Sequence, residues 1–144
     1  RWGATHTLDV GEVRDAAERE RQVLEWTGGQ GPDVVVEVSG ARTAFPEGLA
    51  MLRPGGRYLI VGQIGDHEVT MKPSDLVRKH VRLVGTLSAR VEHYYKALQF
   101  IKTNQDRFSF MDMISSHYPL QRINEAMERM RTWEDVKPAL TFVA

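Results

Sequence analysis

The sequence contains no cysteine, which excludes disulfides, thiol nucleophiles and cysteine-ligated zinc. It carries no excess of either charge: Lys+Arg and Asp+Glu are both 19. Composition therefore gives no support for a nucleic-acid partner or an acidic membrane surface. No apolar run approaches the ~20 residues of a membrane-spanning helix, and Arg1-Trp2-Gly3-Ala4 carries no signal-peptide core. Internal repeats and low-complexity segments are also lacking. What remains is a chain of 144 residues, 42% hydrophobic and 26% charged. That is enough for one ordinary domain with a real core, and the expected compartment is the cytoplasm.

The usual catalytic signatures are missing too. None of His6, His67, His80, His93 and His117 shares a metal-ligand spacing with a second histidine or a carboxylate on one helix face. Ser39, Ser115 and Ser116 lack the Gly-x-Ser-x-Gly elbow of serine hydrolases with this kind of sheet. Gly29-Gln30-Gly31 follows a helical pattern and precedes a strand, the reverse of a dinucleotide fingerprint, and reads as a turn. The alternating charges from Arg14 to Arg21 read as a solvated helix face. Arg78, Lys79 and Arg82 form a local basic group whose simplest role is on the surface.

The stretch that is rich in signal runs from Asp33 to Gly65. Asp33-Val34-Val35-Val36-Glu37-Val38 is a β-branched run suited to a strand buried on both faces of a parallel sheet. Ser39-Gly40 breaks it. Ala41, Ala44, Phe45, Gly48, Leu49 and Leu52 then follow at helical spacing, with Pro46 tolerable only in the first turn. Arg53-Pro54-Gly55-Gly56 ends that helix, and Tyr58-Leu59-Ile60-Val61 is a second strand closing on Gly62-Gln63. Together these make one βαβ unit. Ligands of open α/β sheets bind beyond the carboxyl ends of the strands. Here those ends are Val38-Ser39-Gly40 and Val61-Gly62-Gln63.

The other elements are shorter. Thr5-His6-Thr7-Leu8-Asp9-Val10 is expected to form a strand, and an amphipathic helix is expected from Val13 to Trp26. Beyond the βαβ unit, Glu68-Val69-Thr70-Met71 is expected as a short strand. Pro73 starts a brief helix to His80 with Ser74 as candidate N-cap, and Arg82 to Leu87 is a third core strand. A helix from about Glu92 to Thr103 comes next. Then follow a strand from Met113 to Pro119, a helix with the stripe Leu120, Ile123, Ala126, Met127 and Met130, and a last strand from Pro138 to Val143.

Several of these pieces, in order, resemble one family. They are Trp2-Gly3-Ala4-Thr5-His6, then Thr27-Gly28-Gly29-Gln30-Gly31-Pro32 running into Asp33–Gly40, Leu52-Arg53-Pro54-Gly55-Gly56-Arg57, Leu83-Val84-Gly85-Thr86 and Leu120-Gln121-Arg122-Ile123-Asn124-Glu125-Ala126. They resemble the C-terminal portion of zinc-type alcohol dehydrogenases of the medium-chain dehydrogenase/reductase superfamily, across essentially the whole chain. Leu52-Arg53-Pro54-Gly55-Gly56-Arg57 before a strand also occurs in methyltransferases, but the glycine loop that follows their first strand has no counterpart here.

The resemblance implies an α/β fold. Its core is a partial Rossmann-like domain, the second half of a doubly wound parallel sheet, with a C-terminal strand-helix-strand segment. Residues 1–90 would be an incomplete NAD(P)-binding domain without its first βαβ. Residues 91–144 would be a helix and the segment returning to a catalytic domain that the chain lacks. Val38, Ser39 and Gly40 would line the cofactor ribose. Val61, Gly62, Gln63, Thr86 and Ser88 would flank the nicotinamide, and Lys137 would lie near the pyrophosphate. The family uses NAD(P) and zinc. Without the glycine fingerprint and zinc ligands, this chain alone is expected to bind NAD(P) weakly or not at all, to hold no zinc and to be inactive. In the usual doubly wound strand order the neighbour of Asp33–Val38 is missing. Either the strand at 5–10 shifts to pair there or another chain does, and a homodimer through exposed sheet edges is expected. The alternative is a non-enzymatic dimeric interaction module derived from the same fold.

Overall fold

The computed structural model describes residues 3–63 and 65–142. The chain divides into two compact units, Arg1–Ser88 and Ala89–Ala144. The first is built on β1 (Val34–Glu37), α2 (Ala44–Met51), β2 (Arg57–Ile60), α3 (Pro73–Lys79) and β3 (Arg82–Gly85), preceded by α1 (Ala16–Trp26). Its three strands are parallel in the order β1-β2-β3. The second unit contains α4 (Val91–Thr103), β4 (Ser116–Pro119), α5 (Ile123–Arg131) and β5 (Pro138–Thr141), with β4 and β5 parallel. This is the partial Rossmann-like α/β architecture with a strand-helix-strand segment.

The core of the first unit forms where α2 crosses the sheet. Phe45, Leu52 and Tyr58 are buried together, with Val35, Ile60, Val69, Met71 and Val81 packed against them. The rings of Phe45 and Tyr58 meet edge to face, 5.3 Å between centroids. Gly48 is required at the crossing, because a Cβ there would lie 2.6 Å from the Tyr58 ring and hydroxyl. The Tyr58 hydroxyl donates to the Ala44 and Phe45 carbonyls at 3.1 and 3.2 Å, so its burial leaves no unmade bond.

Charged side chains complete this packing. Arg19, read from sequence as part of a solvated face, is buried. Its guanidinium pairs with Glu47 at 2.7 Å and donates to the Val13 and Arg14 carbonyls, tying α1 to α2. The helical period marks a polar face but not the neighbouring helix that covers part of it. Lys79 is likewise more than a surface charge: its Nζ donates to the Leu49, Ala50 and Leu52 carbonyls at the C-terminal end of α2.

Four local expectations fail. Residues 5–10 form no strand, because Asp9 captures the chain in a turn. Its carboxylate accepts from the Gly11 amide at 2.6 Å and its carbonyl from the Glu12 and Val13 amides. No described strand therefore pairs with the outer edge of β1. Residues 68–71 form no strand, although Val69 and Met71 still pack on the core. Ser74 does not cap α3: the N-cap is Lys72, and the Ser74 hydroxyl accepts from Arg78 instead. Finally, β1 is buried on one face only. Val35 and Glu37 turn toward α2, whereas Val34 and Val36 are each 52% exposed, as is Val84 on β3. Among the described residues no helix is long and apolar enough to cross a membrane.

Candidate functional site

The carboxyl ends of β1 and β2 lie side by side because the two strands are in parallel register, with Glu37 opposite Ile60. The ladder continues past them: the Val61 and Gly62 amides both donate to the Glu37 carbonyl, at 2.9 and 3.0 Å. Gly40 has φ of 70°, a conformation costly for a residue with Cβ. A Cβ on Gly40 would also lie 2.6 Å from the Gly62 carbonyl, and one on Gly62 would lie 2.5 Å from the Gly40 amide nitrogen. The two turns touch backbone to backbone, with no room for a side chain between them.

Glu37 organises these turns. It is buried among apolar residues, yet one oxygen, Oε1, accepts from the Ser39 amide, the Ser39 hydroxyl and the Gly40 amide at 2.8, 2.8 and 2.7 Å. The other, Oε2, makes no hydrogen bond to the described residues. Burial alone raises a carboxyl. Here the Ser39 hydroxyl, the Gly40 and Ser39 amides and the nearby Gln63 side chain outweigh burial and hold Glu37 below its ordinary value. Gln63 ties the second turn to the first: its Nε2 donates to the Ala41 carbonyl at 2.8 Å. His67 Nε2 stands 2.8 Å from Gln63 Oε1, a hydrogen bond when the ring carries its proton on Nε2.

Val38, Ser39, Gly40, Val61, Gly62 and Gln63 are thus brought together at two adjoining turns. Thr86 follows β3 in the same sheet, where its amide donates to the Ile60 carbonyl at 3.0 Å. Ser88 lies two residues on, exposed, with φ of 59°. Lys137 belongs to the second unit, where its backbone exchanges hydrogen bonds with Ser115 ahead of β5. Glu37 and His67 stand in the sequence only as a strand residue and as one of five histidines. Nothing there marks their place at these turns beyond one hint for Glu37, an acidic residue within a β-branched run, three positions before a glycine. No group of three or more His, Asp or Glu side chains among the described residues is placed to hold a metal ion.

Parallel strands joined by helices, with glycine-lined turns at their carboxyl ends, place the first unit in the doubly wound α/β class. The chain belongs to the zinc-binding dehydrogenase family, whose model matches residues 1–103. It is 33% identical over 141 residues to 5-exo-hydroxycamphor dehydrogenase of Pseudomonas putida, covering 96% of this chain and 38% of that one. It is 27% identical over 139 residues to sorbitol dehydrogenase of Halalkalibacterium halodurans, covering 96% and 39%. An alcohol dehydrogenase structure from Thermotoga maritima superposes with a TM-score of 0.84 at 29% identity, over 98% of this chain and 38% of that one. The chain therefore spans under two-fifths of the length of these relatives.

Proposed function

We propose that the chain is the second half of the NAD(P)-binding domain of a zinc-type alcohol dehydrogenase, followed by the segment that returns to its catalytic domain. The observation that carries this reading is the backbone contact of the Gly40 and Gly62 turns at the ends of adjacent parallel strands. Glycine at the end of a strand lets a ligand come close to the main chain. In this reading Val38, Ser39 and Gly40 line the ribose, and Val61, Gly62, Gln63, Thr86 and Ser88 flank the nicotinamide. The bound nicotinamide supplies the hydride acceptor, while the residues here hold it in place by backbone groups. Neither a polarising group for an alcohol nor a fingerprint helix for the pyrophosphate is found among the described residues. The chain by itself is therefore inactive and binds NAD(P) weakly, and a cysteine-free sequence suits the cytoplasm.

Titration of NADH followed by its fluorescence tests the reading. The expected result is no saturable micromolar binding to the 144-residue chain, and saturable binding to a polypeptide extended by a preceding glycine-fingerprint βαβ. Micromolar binding by the chain alone would contradict the first statement, and none by the extended polypeptide the second. The open edges of β1 and β3 favour a homodimer, and light scattering that finds only monomer at high concentration overturns that part.

A further inference from the structure

We propose that Glu37 is the positioning residue of this site: its carboxylate fixes the Ser39–Gly40 turn in the shape against which Gly62 packs. The inference rests on the cofactor reading above and adds the residue that shapes these turns.

A carboxylate in the interior is expensive, and a residue of similar size without charge would suit the space beside Tyr58 better. Glu37 adds nothing to the apolar core, and Oε2 makes no bond to the described residues. What it does make is three hydrogen bonds from one oxygen, all within three residues of its own position and all to the turn. Charge-assisted bonds of this kind are the strong ones. They hold the amides of Ser39 and Gly40 inward, and the Ser39 hydroxyl then accepts from the Ala41 amide at 3.2 Å, passing the constraint one residue further. Gln63 grips the Ala41 carbonyl from the neighbouring turn. One carboxylate thereby sets the first turn, and through it the seating of the second.

Charge matters as well as shape. Glutamine in place of Glu37 keeps an acceptor for the two amides. It also replaces a charged oxygen by a neutral amide, which weakens the bonds from both amides. Aspartate is one methylene short of the turn. Of the other titratable groups nearby, Tyr58 ionises far above the carboxyl range, with its pKa pushed up to about 12 by burial and by the charge of Glu37. His67 is reached only through Gln63. Glu47 lines the same cavity of about 330 Å³ as Glu37, but is engaged by Arg19.

Amide spectra of the ¹⁵N-labelled 144-residue chain test the proposal. As pH falls from neutral through the carboxyl range, the Ser39 and Gly40 amide protons should move together, with a midpoint below that of an ordinary glutamate. In E37Q that titration should vanish while the rest of the spectrum stays dispersed. Millimolar NADH should shift Ser39, Gly40 and Gly62 in the unsubstituted chain and several-fold less in E37Q. If E37Q does not fold, S39A keeps the carboxylate but removes one donor, and the midpoint should rise. Ser39 and Gly40 amides that ignore pH, or that titrate equally in E37Q, overturn the proposal, as does an unmoved midpoint in S39A. An equal NADH response in both proteins overturns the positioning role and leaves the cofactor reading standing. No NADH response in either, with the titration of Ser39 and Gly40 intact, overturns the cofactor-positioning part of the proposal for this chain and keeps the turn-fixing role of Glu37.

Discussion

Each unit buries one tyrosine on a strand of a parallel β-α-β arrangement, and the two hydroxyls find different partners. Tyr58 in β2 is fully enclosed and donates to helix carbonyls. Tyr118 in β4 is 6% exposed and donates to the Asp135 carboxylate at 2.7 Å. Around Tyr58 lie Phe45 and Leu52, with Val35 and Ile60 packed against them. Around Tyr118 the buried side chains are Ala126 and Asp135, and Asp135 also accepts from Arg129 Nε at 3.1 Å. The first unit rests mainly on apolar burial. The second rests on a polar network around Asp135 whose strength depends on charge. Similar chain paths can thus be stabilised by terms with different responses to truncation, crowding and acid.

The sharpest way to break this comparison is to remove the Tyr58 ring. Tyr58→Ala deletes a fully buried aromatic and its hydroxyl bonds. It should cost about 3–5 kcal/mol in the first unit, read from urea unfolding. Tyr58→Phe keeps the ring and should cost only about 1–2 kcal/mol. If the two variants cost the same, the hydroxyl and not the ring holds this unit, and the contrast with Tyr118 disappears.

Gly62→Ala comes next. Its Cβ would press on the Gly40 amide nitrogen and the Val38 carbonyl carbon, both at 2.5 Å. Backbone has little room to yield, so a loss of about 1–3 kcal/mol is expected, with displaced Ser39 and Gly40 amide resonances. Unchanged resonances there would mean that the two turns are not in contact in solution.

Much of this was legible in the sequence. The β-branched run at Val34-Val35-Val36 and the break at Arg53-Pro54-Gly55-Gly56 carry local signals strong enough to set the βαβ unit, and strand topology then locates the ligand-binding end. What the sequence could not show was what lies beside each element. Leu8 and Val10 alternate as a strand would, but a strand needs a partner and Asp9 offers a turn instead. The stripe Ile123, Met127 and Met130 on α5 marks an apolar face, yet each stays at least 39% exposed and only Ala126 is buried. Periodicity says what a helix can bury and is silent on what is there to cover it. Arg19 and Glu37 failed for the opposite reason. A charged residue reads as solvated until its partners are known, and those partners come from another helix or from a turn.

The second unit's network is sensitive to acid. The Tyr118 hydroxyl foremost, then the Ser116 side chain and, more weakly, Ser115 and Arg129, outweigh desolvation and hold the Asp135 carboxyl well below its ordinary value. A carboxyl lowered in the folded state contributes stability that is complete above its unfolded pKa, about 3.9, and is lost as pH falls through the folded value. The second unit should therefore lose stability steadily below about pH 4, and Asp135→Asn should flatten that slope. Amide exchange of β4 and β5 residues checks it, and an unchanged slope in Asp135→Asn would remove the network from the account of this unit.

The smallest effect expected concerns an ion pair that looks strong on distance alone. Arg53 meets Asp33 at 2.6 Å, closer than the 2.7 Å of Arg19 and Glu47. Its side chains are 40% and 79% exposed, against 10% and 19% for the buried pair. Water competes for both exposed partners, and the pair must also restrain two mobile side chains. Asp33→Ala should then cost no more than about 1 kcal/mol, shrinking further in high salt. Glu47→Ala, by stranding the Arg19 guanidinium between α1 and α2, should cost clearly more and respond little to salt. Paired urea titrations at low and high ionic strength compare the two. If Asp33→Ala proved the more damaging, short contact rather than burial would govern ion pairs in this unit, and its dependence on apolar enclosure would need revising.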